Sequence, residues 1–265
     1  MSQPMAESLK FEVVGNVGVL TINRPEKLNA FTYEMLEGWS QLLEECGGRD
    51  DVRVLVLTGA GRGFCAGGDI DSFAAIASTT ASAIQREVRY TQQVQRAITR
   101  LNKPVIAAIN GFATGGGLDI ALACDMRFAA ESARLAENYV RLGLLPGLGG
   151  GWLLPRLVGL GRAMELLITG DFIDAREAER IGLVNRVYTD AELMPRTLEI
   201  AKRIADNPPL SVQAIKRITL AGLGTDFEDA LELAASNLPI VRTSADHKEA
   251  LAAFREKRKP TFHSR

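Results

Sequence analysis

Histidine is nearly absent from this sequence. Only His247 and His263 occur, both near the C-terminal end. Neither stands beside a Ser or Cys elbow, which argues against a histidine-dependent triad. Cysteine is scarce too: Cys46, Cys65 and Cys124 are scattered and odd in number. That argues against a disulfide framework and fits a reducing compartment. No Cys-x-x-Cys or His-Glu-x-x-His spacing exists, so no zinc site, and no metal site of any kind, is expected. Neither GxxxxGK[ST] nor a complete GxGxxG is present, which argues against P-loop and dinucleotide chemistry. Charge of one sign is also missing. Lys and Arg total 31 against 32 Asp and Glu, a net charge of −1, and no basic stretch stands out. Nucleic acid is therefore not an expected partner. No apolar run reaches the roughly 18 residues that a membrane helix needs. The opening MSQPMAESLKFEV has neither the basic nor the apolar part of a secretion signal, so the expected compartment is the cytoplasm.

What is present alternates strand-like and helix-like segments. Phe11–Val14 and Val17–Asn23 flank Gly15-Asn16 and predict a hairpin. Thr32 is a candidate N-cap for a helix through Cys46, with Met35, Trp39, Leu42 and Cys46 on one stripe. VRVLVLT at 52–58 reads as a buried strand, followed by the Gly-rich GAGRGFCAGGD at 59–69. Residues 70–82 are small and polar and read as a mobile loop. A helix is predicted over 83–101. Further on, 156–170 and 175–181 read as helices and 183–187 as a short strand. From Asp190 every periodic segment is helical: 190–206, 209–222, 226–238 and 244–257. Strands alternating with helices, then helices only, predict an α/β core carrying an all-helical tail.

The run from Lys103 to Gly151 carries the chemistry. KPVIAAIN reads as a buried strand, and Leu118 to Ala123 are good helix formers. Gly115, Gly116 and Gly117 thus stand where a strand gives way to a helix N-terminus, with its unpaired N–H groups and positive dipole end. Glycine also permits close approach of a ligand to the backbone. A second Gly-rich strand end lies at 59–69, and carboxylates stand near both. Two N–H donors facing one carbonyl oxygen would form an enolate-stabilising or acyl-transfer device. The plainer alternative is that the glycines only make tight turns.

Several segments, in this order, resemble the crotonase family, the enoyl-CoA hydratase/isomerase superfamily. They are NRPEKLNAF at 23–31, GRGFCAGGDI at 61–70, KPVIAAINGFATGGGLDIALACD, LGLLPGLGGGWLLPRLVG and TGDFIDAREAERIGLVNRV. The resemblance spans nearly the whole chain. It implies a crotonase-like spiral of ββα turns over 1–205, and a helical C-terminal region, 206–265, that makes trimers or dimers of trimers. It implies an acyl-CoA substrate, with coenzyme A arriving as part of that substrate and no permanently bound cofactor. By the same resemblance, the backbone N–H groups of Ala66 and Gly116 hold the thioester oxygen. Lys27, Leu28, Ala66, Gly68, Asp69 and Ile70 match positions lining the CoA groove. Lys27 as a solvated loop charge and Asp69 as a helix N-cap are the structural alternatives.

The chain departs from the hydratase pattern at the acids. Where hydratases carry a first glutamate, this chain has Asp119, shorter by about 1.5 Å. The second glutamate is replaced by Tyr139, and the carboxylate of some isomerases by Gly147. Asp119 and Tyr139 are therefore the candidate catalytic side chains. Asp119 could alternatively be a structural charge at a helix N-terminus, and Tyr139 a pocket wall. Glu137 either replaces the missing acid or lies on the surface. Two functions remain: an enzyme acting through a thioester enolate, by hydration or double-bond shift, or a CoA-ester-binding scaffold without catalysis.

Overall fold

The computed structural model describes residues 8–74 and 80–263. The hairpin forms as predicted. Leu9–Val14 (β1) pairs antiparallel with Val17–Ile22 (β2). The chain then repeats one step three times: a strand in a large sheet, a three-residue strand in a small sheet, and helix. Val54–Gly59 (β3) leads to Gly63–Cys65 (β4), Val105–Ile109 (β5) to Phe112–Thr114 (β6), and Met126–Ala130 (β7) to Arg134–Ala136 (β8). Ile173–Asp174 (β9) and Arg186–Tyr188 (β10) complete the sheets. The large sheet has the order β1-β2-β3-β5-β7-β10 and the small one β4-β6-β8-β9.

The strands of the large sheet are continuously apolar because both faces are covered. Leu20, Ile22, Leu55, Leu57, Ala107 and Ile109 share one core with Met35, Leu36, Trp39 and Leu43 of helix Tyr33–Gly48 (α1). Their neighbours Val19, Val54, Val56, Ile106 and Phe128 enter a second core on the other face, with Leu193, Ala201 and Ala205. Thr32 caps α1 through Oγ1, which accepts from Met35 N–H. The remaining helices are Ile70–Ala74 (α2), Ala81–Thr91 (α3), Gln93–Arg100 (α4), Gly116–Ala123 (α5), Gly150–Val158 (α6), Leu160–Thr169 (α7) and Ala175–Arg180 (α8). The helical tail follows as Leu193–Ala205 (α9), Pro209–Gly222 (α10), Phe227–Thr243 (α11) and Ala245–Glu256 (α12).

Several readings change in detail. The helix predicted over 83–101 is two helices, α3 and α4, meeting at Gln92. At this joint Thr91 Oγ1 donates to Val88 O. The helix predicted over 156–170 starts earlier, at Gly150, and breaks at Gly159, whose φ of 80° leaves the helical range. Of the loop expected at 70–82, residues 70–74 are helical; residues 75–79 lie outside those described. The small sheet went unread, because strands of two or three residues are too short to display a period of two.

Two buried cations tie the parts together. Arg127 is 5% exposed. Its guanidinium donates to Cys124 O at 2.6 Å and Leu183 O at 2.8 Å, joining the end of α5 to the approach to β10. Lys216 on α10 reaches Asp125 at 2.7 Å and Lys103 O at 3.0 Å, which seats the tail on the core. Asp125 also accepts from Val105 N–H at 2.7 Å. Replacing Asp125 by Ala would leave Lys216 as an uncompensated buried charge. A loss of about 3–5 kcal/mol is expected in urea unfolding; a loss under about 1 kcal/mol would mean that the pair is incidental.

Candidate active site

The two Gly-rich strand ends meet. A Cβ added to Gly117 would lie 1.9 Å from Cys65 O, and one added to Gly67 would lie 3.3 Å from Gly116 N. Only glycine permits backbones this close. Gly115, with φ of 49°, is the N-cap of α5, and its N–H donates to Ala136 O at 2.9 Å. Among the described residues the N–H of Gly116 makes no hydrogen bond, as the first turn of a helix requires. Of the two donors expected from the resemblance, Gly116 is thus available. Ala66 is not, because its N–H donates to Leu28 O at 3.0 Å. The neighbouring bridge runs through Phe31 N–H to Gly67 O at 2.8 Å and Asp69 N–H to Phe31 O at 2.9 Å. That pattern leaves the Gly68 N–H unbonded among the described residues. Along an extended segment the N–H groups of Ala66 and Gly68 would point the same way; Gly67, at φ of 94°, breaks that alternation, and neither this turn nor the partner at Phe31 was readable in the sequence.

Asp119 sits in the first turn of α5 and has no exposed surface. The half-buried Tyr139 donates its hydroxyl to Asp119 Oδ2 at 2.6 Å. Tyr139 belongs to a single 3-10 turn, Asn138–Leu142, that follows β8. Glu137 is 1% exposed, so a surface role for it is ruled out. A Cβ on Gly150 would lie 2.3 Å from Asp119 Oδ1 and 3.0 Å from Glu137 Oε1, so the start of α6 closes directly over both acids. Burial pushes the Asp119 carboxyl up to about 6. The Tyr139 hydroxyl, the N–H groups of Leu148 and Gly150, and Glu137 pull the other way. Burial first, then the Asp119 charge, raises Glu137 well above the usual carboxyl range. Burial and Asp119 likewise raise the Tyr139 phenol.

The residues matched to the CoA groove lie together. Leu28, at φ of 50°, ends the short 3-10 turn Pro25–Lys27, beside the strand end at Cys65. Lys27 is half exposed and pairs with Asp71 at 3.0 Å. Asp69 Oδ2 accepts from Arg24 at 2.9 Å, and Oδ1 accepts from Ser72 N–H at 3.2 Å in the first turn of α2. Its carboxylate is thus a cap and an ion-pair partner. Ile70 is 66% exposed. A separate groove of about 630 Å³, lined in part by Leu43, Arg96 and Lys103, shares no residue with this cluster. Among the described residues no group of His, Cys, Asp and Glu has the arrangement of a metal site.

An acid whose proton is held more tightly in the folded state destabilises the fold as pH rises. For Asp119 the window runs from its ordinary value of 3.8 to about 6. Asp119→Asn should therefore be more stable than the parent at neutral pH, by about 1–3 kcal/mol. The gap should close toward pH 4, as read by urea unfolding at both pH values.

A model of the enoyl-CoA hydratase/isomerase family matches residues 12–265. The chain is 40% identical to crotonyl-CoA hydratase of Syntrophomonas wolfei over 260 residues, 98% of this chain and 99% of that protein. It is 36% identical to 1,2-epoxyphenylacetyl-CoA isomerase of Escherichia coli over 259 residues, 97% of this chain and 99% of the other. The crystal structure of an enoyl-CoA hydratase from Bacillus anthracis superposes with a TM-score of 0.93 at 36% identity, covering 97% of this chain and all of that one. The repeated ββα step, the paired glycine loops and these likenesses agree: the chain is an enzyme of the enoyl-CoA hydratase/isomerase family, the crotonase superfamily.

Proposed function

We propose that this enzyme takes an acyl-CoA thioester and moves a proton next to the thioester carbonyl through an enolate. The carbonyl oxygen lies against the N–H groups of Gly116 and Gly68, and the dipole of α5 adds positive potential there. Gly68 replaces Ala66 in this role, because the Ala66 N–H is already bonded. Asp119 is the base, and Tyr139 holds it in place through the hydroxyl that it donates to Oδ2. The observation that carries the reading is the Tyr139–Asp119 hydrogen bond of 2.6 Å in the first turn of a helix whose leading N–H is free.

A single ionised carboxylate suits a double-bond shift best. The same group removes a proton from one carbon and returns it to another, with no second base required. Lys27, Leu28, Ala66, Gly68, Asp69 and Ile70 form the wall along which coenzyme A enters, carried by the substrate. The helical tail joins copies of the chain into a trimer or a dimer of trimers. Exposed Phe227, Leu231, Leu238, Ile240 and Phe254 support this.

A panel of 2-enoyl-, 3-enoyl- and ring-bearing CoA thioesters tests the reading. Interconversion of 2- and 3-enoyl esters is expected, and Asp119→Asn should lower kcat/KM by about a hundred- to ten-thousandfold. Formation of a 3-hydroxy ester alone would make the enzyme a hydratase. Thermal stabilisation by esters with no turnover of any would make it a binder. Light scattering of the purified chain gives the subunit count, with a monomer overturning the assembly.

A further inference from the structure

Glu137 is a buried carboxyl beside Asp119 that the proposed reaction leaves unused. Neither of its carboxyl oxygens meets a donor among the described residues, and Asp119 Oδ1 meets none either. The two carboxyls converge on one point, since a Cβ on Gly150 would lie 2.3 Å from Asp119 Oδ1 and 3.0 Å from Glu137 Oε1. Among the described residues no cation offsets them. Arg141, on the turn next to Glu137, faces outward to Asp171 at 2.6 Å. Arg156 on α6 lies over the ring of Trp152, 3.8 Å from its centroid. The other titratable group facing the pair is the Tyr139 phenol, and the buried Cys65 thiol at the end of β4 lies toward that phenol. Two carboxylates in contact inside a protein, with no counter-charge, do not both ionise.

We infer that Glu137 is a positioning residue that keeps its own proton and donates it to Asp119 Oδ1, so that the pair bears a single negative charge, seated on Asp119. The unpartnered oxygens become a donor and its acceptor. The asymmetry follows from the surroundings. The Tyr139 hydroxyl and the N–H groups of Leu148 and Gly150 all favour the anion on Asp119, whereas Glu137 has no donor of its own. The absence of a side chain at Gly150 belongs to the same arrangement, since a methyl there would push between the two acids. Glu137 thereby takes the orienting part that a second carboxylate would otherwise play. It sits two residues before Tyr139, against the start of α6. The location of the proton is independent of the reaction; the effect on rate rests on the reading of Asp119 as base.

Infrared spectroscopy of the whole enzyme at neutral pH locates the proton without any substrate. A buried, protonated carboxyl band is expected in the parent and should vanish in Glu137→Gln. Absence of the band, or its persistence in that variant, overturns the inference. Kinetics read the consequence. Glu137→Leu, which has no donor, should lose about 10- to 100-fold in kcat/KM, the worth of one hydrogen bond to a charged group. Glu137→Gln, which keeps an N–H donor, should recover most of that loss. The parent's rate should fall at alkaline pH, as Glu137 ionises and puts a second charge beside the base, and Glu137→Gln should lack that fall. Equal losses in the two variants with unchanged pH profiles would reduce Glu137 to packing. If no acyl-CoA is turned over, the proposed reaction fails while the infrared result still decides where the proton lies.

Discussion

The backbone of Gly117 lies against the carbonyl of Cys65 more closely than any side chain would allow. Most of the site depends on that contact. It brings the first turn of α5 against a strand end from the previous ββα step, so two loops about fifty residues apart in sequence share one surface. The free N–H groups of Gly116 and Gly68 belong to the two sides of this junction. The same turn of helix carries Asp119, so the acid is placed by the contact that places the donors. Substitution at Gly117 would therefore separate both parts of the site together.

Asp119 is an expensive residue to keep at this position. Burial without a counter-charge works against its ionised form, and four neighbouring dipoles or acids offset only part of that. A base near neutrality is useful for proton transfer beside a carbonyl, where too weak an acceptor or too strong an acid would slow one of the two steps. The instability and the proposed reactivity share one cause, which is the burial of the cluster under Gly150.

Much of this was legible in the sequence. The buried strands of the large sheet stood out because both of their faces are covered, which makes an apolar run with no polar interruptions. The helix caps at Thr32 and the Gly triplet before Asp119 were visible for the same local reasons. The short strands β4, β6, β8 and β9 were not, since pairing rather than pattern defines them. At the site, Asp119, Tyr139 and Gly116 were named from order and spacing along matched segments. The sequence reading named Ala66 as a donor; that its N–H is bonded while that of Gly68 is free depends on what lies across from each, which only the structure gives. Glu137 was left open between pocket and surface. Its place under Gly150 arises from the packing of the start of α6 on the segment that follows β8, which no local pattern encodes.

Arg127 gives the helix of Asp119 a second fixed end. The glycine contact clamps its start, and the guanidinium binds its last carbonyls to the segment entering β10. A rod held at both tips cannot tilt to follow a guest of different shape. Accommodation of a longer, branched or cyclic acyl chain must then come from the walls that lean on the rod, not from the rod itself. Drift in those walls can redirect the choice of guest while Asp119 and the N–H of Gly116 stay in register.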